Sequence, residues 1–317
     1  MKFSSTSKAA AVTMSLALLL SATACNRDTG GTGDAAAEDR SVTLAVSTLN
    51  NPFFVELRDG AQEAADTAGV ELNIVDAQND SATQTNQLAT AATSGTDGVI
   101  INPVDSDAAA ASVAPLVADG TPVVAVDRAV NGAEVQSLVS SDNVAGGRQA
   151  ADELAAAMGE QGTVIVLQGV AGTSASRDRG AGFTEGLAAY PDIEIVAQQT
   201  ANFDRAEALN VATNLLQAHP DATGVFAEND EMALGAIQAL GARAGDDVKV
   251  VGFDGTADGL AAVAAGTLPA PGAQQPAALG KRSGEVLVQL LDEETVESSI
   301  PVPVTTVTTE NVADFAG

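Results

Sequence analysis

From Ser41 onward the chain alternates short Val- and Ile-rich runs with alanine-rich stretches of helical length, and it does so in two series. The first series is VTLAVS (42–47), ELNIVDA (71–77), GVIINP (98–103), PVVAVD (122–127) and VQSLVSSD (135–142). The second is TVIVLQG (163–169), IEIVAQQT (193–200), GVFAEND (224–230) and VKVVGFDG (248–255). Runs this short and this rich in β-branched residues fit strands buried on both faces. One intervening stretch starts at Pro52, sets Phe54, Leu57, Ala61, Ala65 and Ala68 at helical spacing, and stops at Gly69. Another, DEMALGAIQALG, puts Leu234, Ile237 and Leu240 on one side and ends at Gly241. Strands alternating with helices predict parallel sheets wound by crossover helices. Two such series predict two similar α/β lobes, with the break near SSDNVAGG at 140–147.

With 317 residues, 45% hydrophobic and 18% charged, the chain is long enough and apolar enough for two folded domains. The first segment stands apart. Residues 1–24 carry Lys2 and Lys8, then an apolar run too short to span a bilayer, then small residues, which is the layout of a secretory signal. Cys25, the only cysteine, follows at once and resembles a bacterial lipobox cysteine; an ordinary signal peptide beside an incidental cysteine is the alternative. Residues 25–40 read as a Gly-, Asp- and Ala-rich tether. The expected location is extracytoplasmic, held at the cell membrane through a lipidated Cys25. A net charge of −28 disfavours nucleic acid and anionic lipid head groups as partners and serves solubility.

In open parallel sheets, ligands bind beyond the carboxyl ends of the strands. In the first series those ends carry Asn51, Phe53 and Phe54, then Asn102, then Asp127 and Arg128. In the second they carry Arg177 and Arg179, Phe203, Asn229 and Asp254. Each has a plain alternative. Asn51 before Pro52 is a good helix cap, Asn229 and Asp254 could cap helices or shape turns, and the phenylalanines could anchor loops. Together the types suit a sugar: carboxylates and amides take the hydroxyl hydrogens, guanidinium groups supply hydrogens, and rings cover the CH faces. Two aspartates against two arginines suit an uncharged ligand.

The motifs STLNNPFF, INPVDSDA, AVDRAV, SDNVAGG, LQGVAGTSASRDRGAGF, FAENDEMALGAIQAL and VVGFDGT resemble the D-ribose-binding proteins of bacterial ABC importers, over about residues 41–310. The resemblance implies a type I periplasmic binding fold: two Rossmann-like lobes with parallel sheets, joined by a three-segment hinge. The lobes are expected at 41–141 plus 275–303 and at 142–274 plus 304–317. It further implies ligand contacts at Asn51, Asp127 and Arg128 on the first lobe, and at Arg179, Asn229, Asp254 and Gln274 on the second or at the hinge. Phe53, Phe54 and Phe203 match the ring-stacking aromatics, and Asn102 a residue lining the cleft. Retention of these contacts favours D-ribose, with an ABC permease as the partner and a monomer as the working unit. The lack of tryptophan agrees, since glucose- and galactose-binding relatives usually stack their sugar on one. The chain departs from the family at GTLPAPGAQQP, where Pro269 and Pro271 replace an ordinary strand before Gln274.

Other classes fit less well. The single histidine, His219, sits in a turn after a helix, and no nucleophile triad, zinc spacing or phosphate-gripping loop is present in the sequence. Asp127 and Asp254 could form an acid pair, yet one lies on each lobe among arginines expected to hold both ionised. Neither catalysis, cofactor nor metal is therefore expected. A DNA-binding repressor of the same fold would need an N-terminal helix pair, where this chain has an export signal. A receptor for another pentose, a hexose or a furanosyl signal molecule is the alternative.

Overall fold

The computed structural model describes residues 40–269 and 272–315. The expected signal segment, Cys25 and all of the tether except Arg40 lie outside the described residues, as do Ala270 and Pro271. The chain opens with β1 (Ser41–Val46), α1 (Pro52–Ala68), β2 (Glu71–Asp76), α2 (Ser81–Ser94), β3 (Gly98–Ile101), α3 (Ala110–Ala118), β4 (Val123–Val126) and β5 (Ser137–Ser141). It continues with α4 (Asn143–Met158), β6 (Gly162–Gln168), α5 (Ser174–Leu187), β7 (Ile193–Thr200), α6 (Arg205–Ala218), β8 (Gly224–Ala227), α7 (Asp230–Leu240) and β9 (Lys249–Val251). The last elements are β10 (Phe253–Asp254), α8 (Ala257–Ala264), β11 (Gly272–Ala273), α9 (Pro276–Leu291), β12 (Ser299–Val302) and β13 (Thr305–Thr306).

Two parallel sheets result, one in each lobe. The first has the order β12-β5-β4-β3-β1-β2 and the second β7-β6-β8-β9. In both, the first strand of the series lies inside the sheet, so the chain winds outward in opposite directions from it. That reversal opens a crevice at the carboxyl ends of β1 and β3 in one lobe and of β6 and β8 in the other. Alternation within each strand feeds both faces. Leu44, Val46 and Ile100 pack with Leu57, Leu279 and Leu287 of α1 and α9, while Val99 and Ile101 pack with Leu88, Val113 and Leu116 of α2 and α3. In the second lobe Ile165 and Leu167 face α6 and α7, and Val164 and Val166 face α4 and α5.

Each lobe contains a reciprocally close helix pair. A Cβ on Gly60 would strike the backbone of Ala277, and one on Gly280 the carbonyl of Leu57, so α1 and α9 touch backbone to backbone. The same reciprocity joins α4 to α5, where Gly147 lies against the carbonyl of Arg179 and Gly182 against that of Val144. Only glycine permits these approaches.

The helix starting at Pro52 and the one ending at Gly241 form as the sequence predicts, with Gly69 in the left-handed conformation at φ 68°. The expected strand 248–255 is instead two. β9 ends at Val251 in the second sheet, and β10 joins a separate small sheet of order β10-β11-β13. Between them Gly252 passes the Asp230 side chain so closely that a Cβ would come within 2.7 Å of Oδ1. The chain bends there, and Phe253 turns in against Gly146 of α4. Despite the neighbouring prolines, a two-residue strand does form before Gln274; β11 pairs parallel with β10 and antiparallel with β13. The chain crosses between the lobes three times, after β5, between β11 and α9, and between β12 and β13. Pro301 is accommodated because β12 is an edge strand.

Candidate ligand-binding site

The strand ends of the two lobes meet around a narrow cavity lined by Asn51, Phe53, Phe54, Asp127, Arg128, Ala175, Arg179, Phe203, Asn229, Asp254 and Gln274. Ten of these residues are those singled out from the sequence. Ala175, on the first turn of α5, is the addition, and an alanine carries no chemical signal by which a sequence reading could find it.

On the first lobe, Asn51 does two things at once. Its Oδ1 accepts from Phe53 N at 2.9 Å and caps α1, which turns Phe53 and Phe54 into the cavity at the first helical turn. Their rings meet edge to face at 5.1 Å. Asp127 follows β4 with φ +63°, a left-handed conformation uncommon for a residue with a side chain. Arg128 donates from Nη1 to the carbonyl of Pro103 at 3.0 Å and lies over Phe54 at 5.2 Å and over Phe203 at 5.5 Å. One guanidinium thus sits between rings contributed by both lobes.

On the second lobe, Arg179 donates from Nε to Asn143 Oδ1 and from Nη1 to the carbonyl of Glu228, both at 2.8 Å, and stacks on Phe253 at 4.1 Å. Asn229 caps α7 by accepting from Met232 N at 3.0 Å while its Nδ2 donates to the carbonyl of Phe203 at 3.4 Å. Asp254, with φ +125°, accepts from Gln274 Nε2 at 2.7 Å. It caps nothing; Thr256 caps α8 instead. Phe203 also holds a positive φ, +59°. Three wall residues in this region of backbone space mark stored strain, which concentrates at ligand sites.

Each acid faces a base without bonding it: Asp127 to Arg128 Nε at 3.6 Å and Asp254 to Arg179 Nη1 at 3.7 Å. Asp127 Oδ1, Arg128 Nε and Gln274 Oε1 are buried with no protein partner. Two acceptors and a donor, already stripped of solvent, are thereby directed to whatever enters. Burial works against the hold that the arginines have on both aspartates. Desolvation raises Asp127 and Asp254 above the usual carboxylate range against the pull of Arg128 and Arg179, and lowers Arg128 to about 10.

Of the contacts that the resemblance implies, Asn102 is the one that does not line the cavity. It is fully buried behind the wall, where it donates from Nδ2 to Asp127 Oδ2 and to the carbonyl of Val126, both at 3.2 Å, and accepts from Ser47 N at 3.2 Å. It follows β3 directly and braces Asp127 from behind. Arg177, also at a strand-end turn, pairs outward with Asp178. Sequence reasoning passed over Glu228 and Asp230, which flank Asn229 and are both fully buried. Three successive polar residues at the end of β8 were the available signal.

The lobes touch directly beside the cavity. Ser106 N donates to the carbonyl of Gly172 at 3.1 Å, Ser174 N to Ser106 Oγ at 3.1 Å and Ala129 N to Ser174 Oγ at 2.9 Å.

Comparison with known proteins agrees with this geometry. The family described as periplasmic binding protein domain matches residues 42–295. The ribose import binding protein RbsB of Escherichia coli (strain K12) is 46% identical over 287 residues, covering 90% of this chain and 96% of that protein. The protein of the same name in Bacillus subtilis (strain 168) is 44% identical over 263 residues, covering 83% and 85%. An ABC transporter solute binding protein from Bacillus halodurans C-125, solved with bound myo-inositol, matches with a TM-score of 0.83 at 32% identity and covers 91% of this chain and 99% of that one. The chain belongs to the periplasmic binding protein family.

Proposed function

We propose that this protein is the solute-binding component of an ABC importer and that it captures D-ribose between its two lobes. The observation that carries the reading is the cavity wall: two carboxylates, two guanidinium groups, three amides and three phenyl rings, contributed by both lobes to one shared cavity. A pentose matches it atom class by atom class. Its hydroxyls donate to Asp127 and Asp254 and accept from Arg128 and Arg179, while its CH faces lie against Phe53, Phe54 and Phe203. The paired charges leave no net charge for a ligand to neutralise. Because the sugar contacts both lobes only when they are closed, it shifts the population toward the closed form by its differential affinity. The closed form is what a membrane permease reads.

The reading extends to the parts beyond the cavity. The lobes divide at 41–141 plus 275–303 and 142–274 plus 304–317, the chain works as a monomer outside the cytoplasm, and Cys25 carries the lipid that holds it at the membrane. No catalytic step is assigned. Calorimetric titration with pentoses, hexoses and myo-inositol tests the central claim, with D-ribose expected to bind most tightly. The myo-inositol-bound relative favours a second reading, a cyclic polyol or another small sugar. Binding of myo-inositol with no heat from D-ribose would replace the first reading by the second. Fatty-acid labelling of the full chain, abolished by Cys25→Ser, tests the anchor.

A further inference from the structure

Asn229 is flanked by two carboxylates, and neither reaches the cavity. Glu228 points back beneath the loop that follows β6. Its Oε2 accepts from Gly169 N at 2.7 Å and from Ser176 Oγ, so it grips that loop at both ends. Its carbonyl oxygen accepts from Arg179 Nη1 at 2.8 Å. Between the two grips lie Gly172 and Ser174, the residues through which the second lobe bonds to Ser106 and Ala129 of the first. Asp230 points the other way. Its Oδ2 accepts from Gly255 N at 2.9 Å, Thr256 N at 2.8 Å and Thr256 Oγ1 at 3.0 Å, the groups directly after Asp254. The remaining oxygens, Glu228 Oε1 and Asp230 Oδ1, are buried without partners. Neither residue therefore caps its own helix or pairs with a surface cation; all their hydrogen bonding is spent on two loops distant in sequence.

We propose that Glu228 and Asp230 are positioning residues for ligand capture: Glu228 presets the loop 169–176 by which the lobes meet and by which Arg179 is aimed, and Asp230 holds the turn that keeps Asp254 at its left-handed backbone angle. The proposal rests on the sugar-capture reading above. With Asn229 between them bonding the carbonyl of Phe203, one three-residue segment at the end of β8 fixes the loops of Arg179, Phe203 and Asp254. A buried carboxylate suits the task because one oxygen can accept several N–H and O–H groups at once, and each such charge-assisted bond resists the loop's loss of order. The charges facing them are Arg179 from α5 for Glu228, and Asp254 from β10 with Glu231 of its own helix for Asp230.

The test uses the full chain with Glu228→Ala, Glu228→Gln, Asp230→Ala and Asp230→Asn, followed by amide hydrogen exchange without sugar and by calorimetry with D-ribose. In the alanine variants, amides of 169–176 or of 255–256 are expected to exchange at least about tenfold faster, and the D-ribose Kd to rise about tenfold or more. In the amide variants, which keep an acceptor in place, Kd is expected to stay within about threefold of the unaltered protein. Should Glu228→Ala fail to fold, Ser176→Ala removes one of its donors and carries the same test in milder form. Unchanged exchange in the alanine variants overturns the proposal whether or not D-ribose binds. Faster exchange with unchanged Kd overturns it as well. An unaltered protein that takes no D-ribose overturns the ribose assignment instead, and the exchange data still decide whether the loops are held.

Discussion

The two lobes present comparable walls but support them differently. In the first lobe the wall comes from two short sequence stretches, 51–54, fixed by the cap of its own helix α1, and 127–128, fixed by the carbonyl of Pro103 and the amide of Asn102, 25 residues away. In the second lobe it comes from five separate positions, Arg179, Phe203, Asn229, Asp254 and Gln274, tied together by buried side chains that span 20 to 59 residues of sequence. A wall built from two stretches rests on few links, one of them local to its helix. A wall built from distant loops depends on its buried polar links, so its precision and its sensitivity to proton concentration have the same source.

The comparison is most exposed at Arg179. Arg179→Ala leaves Asp254 buried without its counter-ion, and breaking such a pair costs about 3–5 kcal/mol. The D-ribose Kd is expected to rise at least about a hundredfold, against about tenfold or more for Asp127→Ala, which retains Arg128 among its aromatic neighbours. Equal losses in calorimetry would erase the difference between the walls. Next in size is the ligand-side cut. 2-Deoxyribose leaves a desolvated partner unmatched and should bind about 10–100-fold more weakly than ribose; equal affinity would remove the polar lining from the argument.

Third is the dependence of stability on pH. Burial raises Glu228 and Asp230 to about 7, from ordinary values of 4.5 and 3.8. The folded form therefore binds protons that the unfolded form has released. Their stabilisation is fully present below about pH 4 and is lost as pH rises through 7, with a slope of at most about 1.4 kcal/mol per pH unit for each group. Melting scans of the sugar-free protein from pH 4 to 8 should show this fall, flattened more by Glu228→Gln with Asp230→Asn than by Asp127→Asn in the first lobe. A flat profile in the unaltered protein would mean that these carboxyls are not held as described. The smallest effect separates the two glycine crossings. Gly147→Ala pushes α5 from α4 and carries Arg179 with it, so affinity should fall about tenfold. Gly60→Ala should lower the melting temperature with less than about a threefold change in Kd.

The architecture was legible because strand and helix runs alternate cleanly, and because Asn51, Asp127, Arg179, Asn229 and Asp254 are polar groups standing where apolar strands end. Other features have no such signature. The break at Gly252 lies within one continuous apolar run, and only the proximity of Asp230 explains it. Asn102 has the same sequence context as the wall residues, yet its amide is taken up by Ser47, Val126 and Asp127 and does not line the cavity. Glu228 and Asp230 look like surface acids in a chain of 42 acidic residues until the loops they hold are seen around them. Backbone angles such as +125° at Asp254 are set by tertiary packing, for which no residue type is diagnostic.

Gln274 carries one further implication. It bonds Asp254 through both backbone and side chain, at 2.8 and 2.7 Å, and two residues later Pro276 begins α9 in the other lobe. A molecule that grips this pair therefore also sets the torsion of a crossing strand, so recognition and hinge angle cannot be tuned independently. A ligand slightly too large would be gripped and yet leave the hinge ajar, and to anything that senses only lobe angle it would look like an empty receptor.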